Sequence, residues 1–310
     1  MKANLDRTLY PQPLIFNAFK PAGISSVDVV RHFKRNLPIG YGKIGHFGTL
    51  DPFASGVLLI GVAQATRFNE YIHDDLPKTY LAVGKLGHWT STGDLTVPVE
   101  KMDTSEYFHK KISTFSKEFI ENILRSKFVG EYLQSPHTFS AAKFEGRPLH
   151  KWAREGVIIK KEQVLRHVYD LEVVKYSFPY LSIRYKVSSG TYIRSLFSDC
   201  AEELGTLGVL VSLVRESIGP ISTKSSLHKK DWPMDRCAGE QLKGFPVFEA
   251  LPYPGWKLNE TQGKQFLNGL QLNIDKEFKD GTLIWPEYDG KVLGLATFTE
   301  SLLRPVVVFN

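Results

Sequence analysis

Asp51 stands in the run Gly45-His46-Phe47-Gly48-Thr49-Leu50-Asp51-Pro52-Phe53-Ala54-Ser55-Gly56, which fixes one carboxylate in a turn with glycines on both sides. Pro52 lacks a backbone donor and restricts the residue before it to extended conformations. Gly45, Gly48 and Gly56 allow tight turns or the close approach of a second backbone. A carboxylate held this way can act as a nucleophile or a base. Asp-Pro alone is an ordinary turn dipeptide whose aspartate caps its own loop, so the weight rests on the longer run. The adjoining Gly40-Tyr41-Gly42-Lys43-Ile44-Gly45 matches GxGxxG. It follows a basic helical segment rather than a strand and opens no helix, which argues against dinucleotide binding.

Holding Asp51 in place requires elements on either side of it. Residues 14–18 read as a short strand leading into Lys20-Pro21-Ala22-Gly23-Ile24-Ser25-Ser26, after which Val27, Val30, Phe33 and Leu37 recur at helical spacing. Ser25 and Asp28 form a capping-box pattern at the start of that helix. A strand is expected over 57–62, then a helix over 64–72 and a strand over 79–86. Leu181, Ile183, Tyr185 and Val187 alternate with polar residues, the pattern of a half-buried antiparallel strand, and Pro179 turns the chain from a preceding strand over 169–176. From Ile193 the pattern becomes an amphipathic helix that Gly205 ends with a left-handed cap. Arg194 falls in its first turn, where the positive helix end disfavours a cation, so another group is expected to use the guanidinium. Strands alternating with loops and helices indicate α/β or α+β architecture. Residues 215–240, with Ser, Lys and Pro interspersed, read as a connection between domains. From about Pro246, glycines between short apolar runs predict a small β-rich domain.

The chain has 310 residues, 42% hydrophobic and 23% charged, enough for one large domain and a small one. Its net charge of +6 is less informative than its distribution. Residues 20–46 carry Lys20, Arg31, Lys34, Arg35 and Lys43 against Asp28 alone. Residues 143–167 carry Lys143, Arg147, Lys151, Arg154, Lys160, Lys161 and Arg166 against Glu145, Glu155 and Glu162. Both segments suit a phosphate backbone; solvated helix faces are the plainer alternative. Cys200 and Cys237 lie at no metal or redox spacing, which fits a reducing cytoplasm, and the nine histidines form no HExxH pair. No cofactor and no metal are indicated. The N-terminus lacks a signal-peptide apolar region, and the longest apolar run, residues 57–63, is too short to span a bilayer.

The run around Asp51 resembles the GxLDPxAxG signature of the TruB-type pseudouridine synthases. The resemblance extends along most of the chain: Lys20-Pro21-Ala22-Gly23-Ile24-Ser25-Ser26, Lys78-Thr79-Tyr80, Ser140-Ala141-Ala142-Lys143, Gly146-Arg147, Gly190-Thr191-Tyr192-Ile193-Arg194 and Leu213-Val214-Arg215 are similar to family elements and follow the family order. It implies an α+β fold: a pseudouridine synthase domain over residues 1–240 around a mixed, largely antiparallel sheet, and a small PUA-like RNA-binding barrel over residues 246–310. It implies a cofactor-free isomerisation of the uridine at tRNA position 55, in the TΨC loop, on a base flipped out of its stack. The implied partner is therefore tRNA, with no membrane and no obligate protein partner, and the chain is expected to be a monomer.

By the same resemblance Asp51, Tyr80 and Arg194 are catalytic. Asp51 would attack the uridine or stabilise its glycosyl fragment, Arg194 would keep Asp51 ionised and positioned, and Tyr80 would stack on the base and assist removal of the C5 proton. His46 would enter the space left by the flipped base, and Leu213 would line the uracil pocket. Lys20 and Pro21 would support the catalytic loop, while Arg67, Lys143 and Arg147 would contact RNA phosphates. The loop after Gly87 departs from the usual acidic pattern, keeping Asp94 while Ser91 and Thr96 are neutral; Asp94 is expected to join the Asp51 and Arg194 network. Two other readings compete: a TruB-like protein that binds and folds tRNA without catalysis, and a hydrolytic glycosidase, which needs a second carboxylate absent near Asp51 in sequence.

Overall fold

The computed structural model describes residues 13–38, 41–140, 142–159, 161–235, 243–275 and 278–309. Gly40, Ala141, Lys160 and Cys237, singled out above, lie outside the described residues.

A ten-stranded sheet organises the larger part of the molecule. The strands that position the site are β1 (Leu14–Lys20), β2 (Ile44–His46), β3 (Ser55–Val62), β4 (Lys78–Leu86), β5 (Gly130–Gln134), β6 (Val164–Ser177), β7 (Tyr180–Val187), β8 (Gly208–Ile218) and β9 (Phe245–Pro246). Their order is β9-β1-β3-β8-β4-β7-β6-β5, with β2 paired to β3. Every one of these pairings is antiparallel except β3 with β8, which is parallel at Val214 opposite Ser55 and Arg215 opposite Gly56. At Gly56, with φ +110°, an added Cβ would lie 2.2 Å from the Arg215 carbonyl oxygen, so only glycine permits this approach. The sheet is thus mixed and largely antiparallel, as expected.

Helix α1 (Ser26–Asn36) opens with the capping box read from Ser25 and Asp28. Its buried face is rotated from expectation: Ser26, Val29 and Phe33 are buried while Val27 is 47% exposed. The reason is that the Ser26 hydroxyl is needed inside, where it bonds both polar groups of Leu50. The helix expected over 64–72 is instead a 3-10 segment, Ala63–Phe68, followed by a wide turn, Tyr71–Asp75. No side chain caps the first, and the Lys78 ammonium takes the carbonyls of His73 and Leu76 at the end of the second. Helix α2 (Lys117–Phe128) packs on β6, and α3 (Ile193–Glu203) lies against β8 and β4, with Gly205 at φ +82° just beyond its end.

The connection expected over 215–240 begins inside the core. Arg215 to Ile218 complete β8, the Leu227 backbone pairs with β1, and Trp232 is buried against Phe16 and Phe33. Beyond β9 a second sheet contains β10 (Gly255–Lys257), β11 (Leu272–Asn273), β12 (Leu283–Tyr288), β13 (Gly294–Thr299) and β14 (Leu302–Val308) in the order β10-β12-β13-β14-β11, forming a half-barrel with helix α4 (Glu260–Leu267). Trp285, Leu295, Val307 and Phe309 of this part share one apolar cluster with Ile15 and Leu59 of the large sheet and with Phe47, Phe68 and Ile72 of the segments that flank it. The two parts are joined through a common core. No helix among the described residues is long and apolar enough to cross a membrane.

Candidate active site

Asp51 sits at the start of a turn between β2 and β3, closed by the Ala54 amide donating to the Asp51 carbonyl at 3.1 Å. The loop is tied down from three sides. Ser26, at the start of α1, holds Leu50, its hydroxyl accepting from the Leu50 amide at 2.9 Å and donating to the Leu50 carbonyl at 3.1 Å. Lys20 at the end of β1 donates to the carbonyls of Pro21, Ile24 and Pro52 at 2.9, 2.7 and 3.2 Å. Arg215 on β8, fully buried, donates to the carbonyls of Val57, Thr49 and Gly48 at 2.8, 3.2 and 3.2 Å. Burial lowers the Lys20 ammonium to about 8, with Asp51 opposing that shift and Arg215 adding to it.

The Asp51 carboxylate meets Arg194 in a fork. Arg194 Nε lies 2.9 Å from Oδ2 and Nη2 lies 3.2 Å from Oδ1. The same guanidinium donates to the carbonyls of Thr92 at 2.6 Å and Phe139 at 3.0 Å, and its Nη1 lies 3.7 Å from Asp94 Oδ2. These acceptors offset the unfavourable placement of a cation in the first turn of α3. Through that approach Asp94 adjoins the pair; its Oδ1 accepts from the Thr96 amide at 2.9 Å and from the hydroxyls of Thr92 and Thr96. Thr92 and Thr96 therefore serve as donors to Asp94, whereas the Ser91 amide donates to Glu100. Burial raises the Asp51 carboxyl above its usual range; Arg194 pulls it back and Asp94 pushes it further up.

Tyr80 lies on β4, in register with Tyr185 of β7 and Arg215 of β8, half-buried against a cluster that includes Leu50, Ala54 and Leu213. Asp51 and Arg194 are in direct contact, while Tyr80 and Leu213 belong to the apolar cluster that also takes in Leu50 and Ala54 on either side of Asp51. His46 ends β2, with its Nδ1 buried and without a hydrogen-bond partner among the described residues. Burial, then the nearby Arg215 charge, lowers its pKa and favours the neutral ring. Arg67 is exposed on the 3-10 segment and Lys143 on a short hairpin. Arg147 is already engaged: it forms a two-pronged pair with Glu155 and lies 4.7 Å from the centre of the Trp152 ring. Lys20 supports the loop from within, and Pro21 contributes the carbonyl it holds. Sequence reasoning gave Arg215 no role. Strand alternation carried the signal, since Arg215 shares a face with buried Leu213 two residues earlier. Among the described residues no cluster of His, Cys, Asp or Glu could hold a metal ion.

A fold of this kind, with one loop carboxylate forked by a buried arginine, agrees with comparisons to known proteins. The description "TruB family pseudouridylate synthase (N terminal domain)" matches residues 34–193. The tRNA pseudouridine synthase B of Thermotoga maritima is 37% identical over 291 residues, spanning 91% of this chain and 89% of its own. That of Dehalococcoides mccartyi is 32% identical over 299 residues, spanning 95% and 96%. The chain belongs to the TruB family of pseudouridylate synthases. Among solved structures, a chain of a Cbf5-Nop10-Gar1 complex superposes with TM-score 0.69 at 23% identity, covering 98% of this chain and 85% of that one. A chain of an H/ACA RNP bound to a substrate RNA containing 2'-deoxyuridine gives TM-score 0.68 at 22% identity, covering 96% and 85%. These two share the fold, which is the pseudouridine synthase fold expected from sequence.

Proposed function

We propose that this protein isomerises uridine to pseudouridine at position 55 in the TΨC loop of tRNA, without a cofactor. The observation that carries the reading is the forked Asp51–Arg194 pair on a loop held by Ser26, Lys20 and Arg215. The reaction breaks the N1–C1′ bond, turns the base, and forms a C5–C1′ bond; the proton lost from C5 balances the one gained at N1. Asp51 supplies the carboxylate for attack or charge stabilisation, and Arg194 keeps it ionised against the burial that raises its pKa. Tyr80 stacks on the base and assists the proton at C5. Leu213 lines the pocket, and His46, its neutral ring favoured by burial, fills the place of the flipped base. Arg67, Lys143 and Arg147 serve the phosphates, the last after exchanging Glu155 for RNA. Residues 246–310 act as a PUA-like RNA-binding domain, and the protein works as a monomer in the cytoplasm.

Tritium release from tRNA labelled at uridine C5 tests the reading. Asp51→Asn should abolish release while leaving tRNA binding largely intact. Turnover near the wild-type rate would remove Asp51 as the essential carboxylate. A wild-type protein that binds tRNA and releases no tritium would favour a tRNA-folding role, and free uracil would favour hydrolysis.

A further inference from the structure

Helix α3 carries Arg194 in its first turn, yet the residue that caps it, Tyr192, offers no side-chain cap. Its polar backbone groups are taken by a side chain from another element. Gln134, the last residue of β5 and buried, accepts the Tyr192 amide at Oε1 over 2.8 Å and donates from Nε2 to the Tyr192 carbonyl over 3.0 Å. The two contacts fix the amide orientation, since a flipped amide would set donor against donor and acceptor against acceptor. The remaining Nε2 hydrogen faces the Tyr132 hydroxyl at 3.3 Å, and that hydroxyl donates to Asp199 further along α3. Five residues after Gln134, the Phe139 carbonyl accepts from Arg194 itself. Gln134 therefore ties together the helix start that carries the guanidinium and the loop that supplies one of its acceptors.

We propose that Gln134 is a positioning residue for the reaction, setting the reach of Arg194 to Asp51 through its two-point hold on the Tyr192 peptide. The inference rests on the proposed reading of Asp51 and Arg194 as the reacting pair. A fork needs both nitrogens within hydrogen-bond distance, and an error of about 1 Å in a catalytic group costs up to about 100-fold in rate. A residue that acts this way affects turnover more than substrate affinity. It also affects the ionisation of Asp51, because Arg194 favours the carboxylate. The charged groups facing Asp51 are Arg194 from α3, Asp94 from the loop after β4 and Lys20 from β1. His137, on the Gln134 loop beside Arg194, is held neutral by burial, its pKa lowered to about 3.

Gln134→Met keeps the volume and loses both hydrogen bonds; Gln134→Asn keeps the amide and falls one methylene short. Either should lower kcat at saturating tRNA by about 10-fold or more with KM changed less than about twofold. The acid limb of kcat should move to higher pH by about half a unit or more. In an Arg194→Lys background the same change should cost less than about twofold, since Gln134 acts through Arg194. Tyr132→Phe, which removes the outer contact and spares the hold on Tyr192, should stay near wild type and serves as the packing control. If Gln134→Met does not fold, Gln134→Asn carries the same readings. A folded variant with wild-type kcat, a loss confined to KM, an unmoved acid limb, or a full additive loss in the Arg194→Lys background would each overturn the proposal. An unimpaired Arg194→Lys enzyme would overturn both it and the proposed catalytic pair, whereas an impaired Arg194→Lys beside an unimpaired Gln134→Met would overturn only the role of Gln134.

Discussion

Arg194 gathers two oxygens of Asp51 and two backbone carbonyls around one planar group. A lysine ammonium at the same place cannot reproduce a planar fork. Arg194→Lys should therefore lose about 100-fold or more in kcat while binding tRNA, as read by single-turnover and filter-binding measurements. The pH profile gives a second reading. Burial raises the Asp51 pKa and Arg194 opposes that rise, so an activity that needs the carboxylate should fall along an acid limb lying above the ordinary aspartate value of 3.8. Weakening the pair moves the limb further up. A profile flat down to that value would show that Asp51 ionisation does not govern the rate.

The elements show why part of the site was legible in the sequence and part was not. Local chemistry was readable: the Ser25–Asp28 capping box, the turn at Asp51 and the first-turn position of Arg194 all depend on neighbours in the chain. Contacts made across the fold were not. The face of α1 turned inward to bring Ser26 to Leu50, 24 residues away, and Arg215 reaches Gly48 from 167 residues away; no periodicity encodes such pairs. The parallel approach of β3 and β8 is equally non-local: Gly56 permits it, but its partner Arg215 stands far along the chain. Gly56→Ala should destabilise the protein by about 3 kcal/mol or more, combining a positive φ with a clash against backbone; a wild-type midpoint in chemical denaturation would refute the close-approach account. The basic hairpin makes a separate prediction. Lys143→Ala should flatten the salt dependence of tRNA binding by about one unit of log-log slope. Arg147→Ala should change it less, because Glu155 already neutralises that guanidinium. An unchanged slope for Lys143→Ala would show that it does not touch phosphate.

At the scale of the whole molecule, sequence alone favours a detachable C-terminal barrel: every expected catalytic residue precedes Pro246, so truncation there should weaken binding and spare the chemistry. The packing argues otherwise. Phe245 and Pro246 extend the large sheet by pairing with Ile15 and Leu14. Phe68 places its ring 5.7 Å from that of Trp285 and 5.9 Å from that of Phe309, and the Tyr253 hydroxyl donates to Asp75 at 3.0 Å. Val247, Leu251, Leu295 and Val307 fill the same cluster as Leu59 and Ile72. Each large apolar side chain left exposed costs about 1.5–3 kcal/mol, and several together approach the roughly 5–15 kcal/mol that holds a domain folded. Deleting residues from Pro246 onward should therefore leave a chain that aggregates or unfolds well below the wild-type Tm, with kcat lost together with structure. The Asp51 loop lies close to the damage, since Phe47, four residues before it, belongs to the shared cluster. Circular dichroism melting of the truncated protein decides between the two views: a cooperative transition near the wild-type Tm with intact kcat would restore the separable barrel, and its loss would make the C-terminal part a structural support of the catalytic sheet as well as a binding surface.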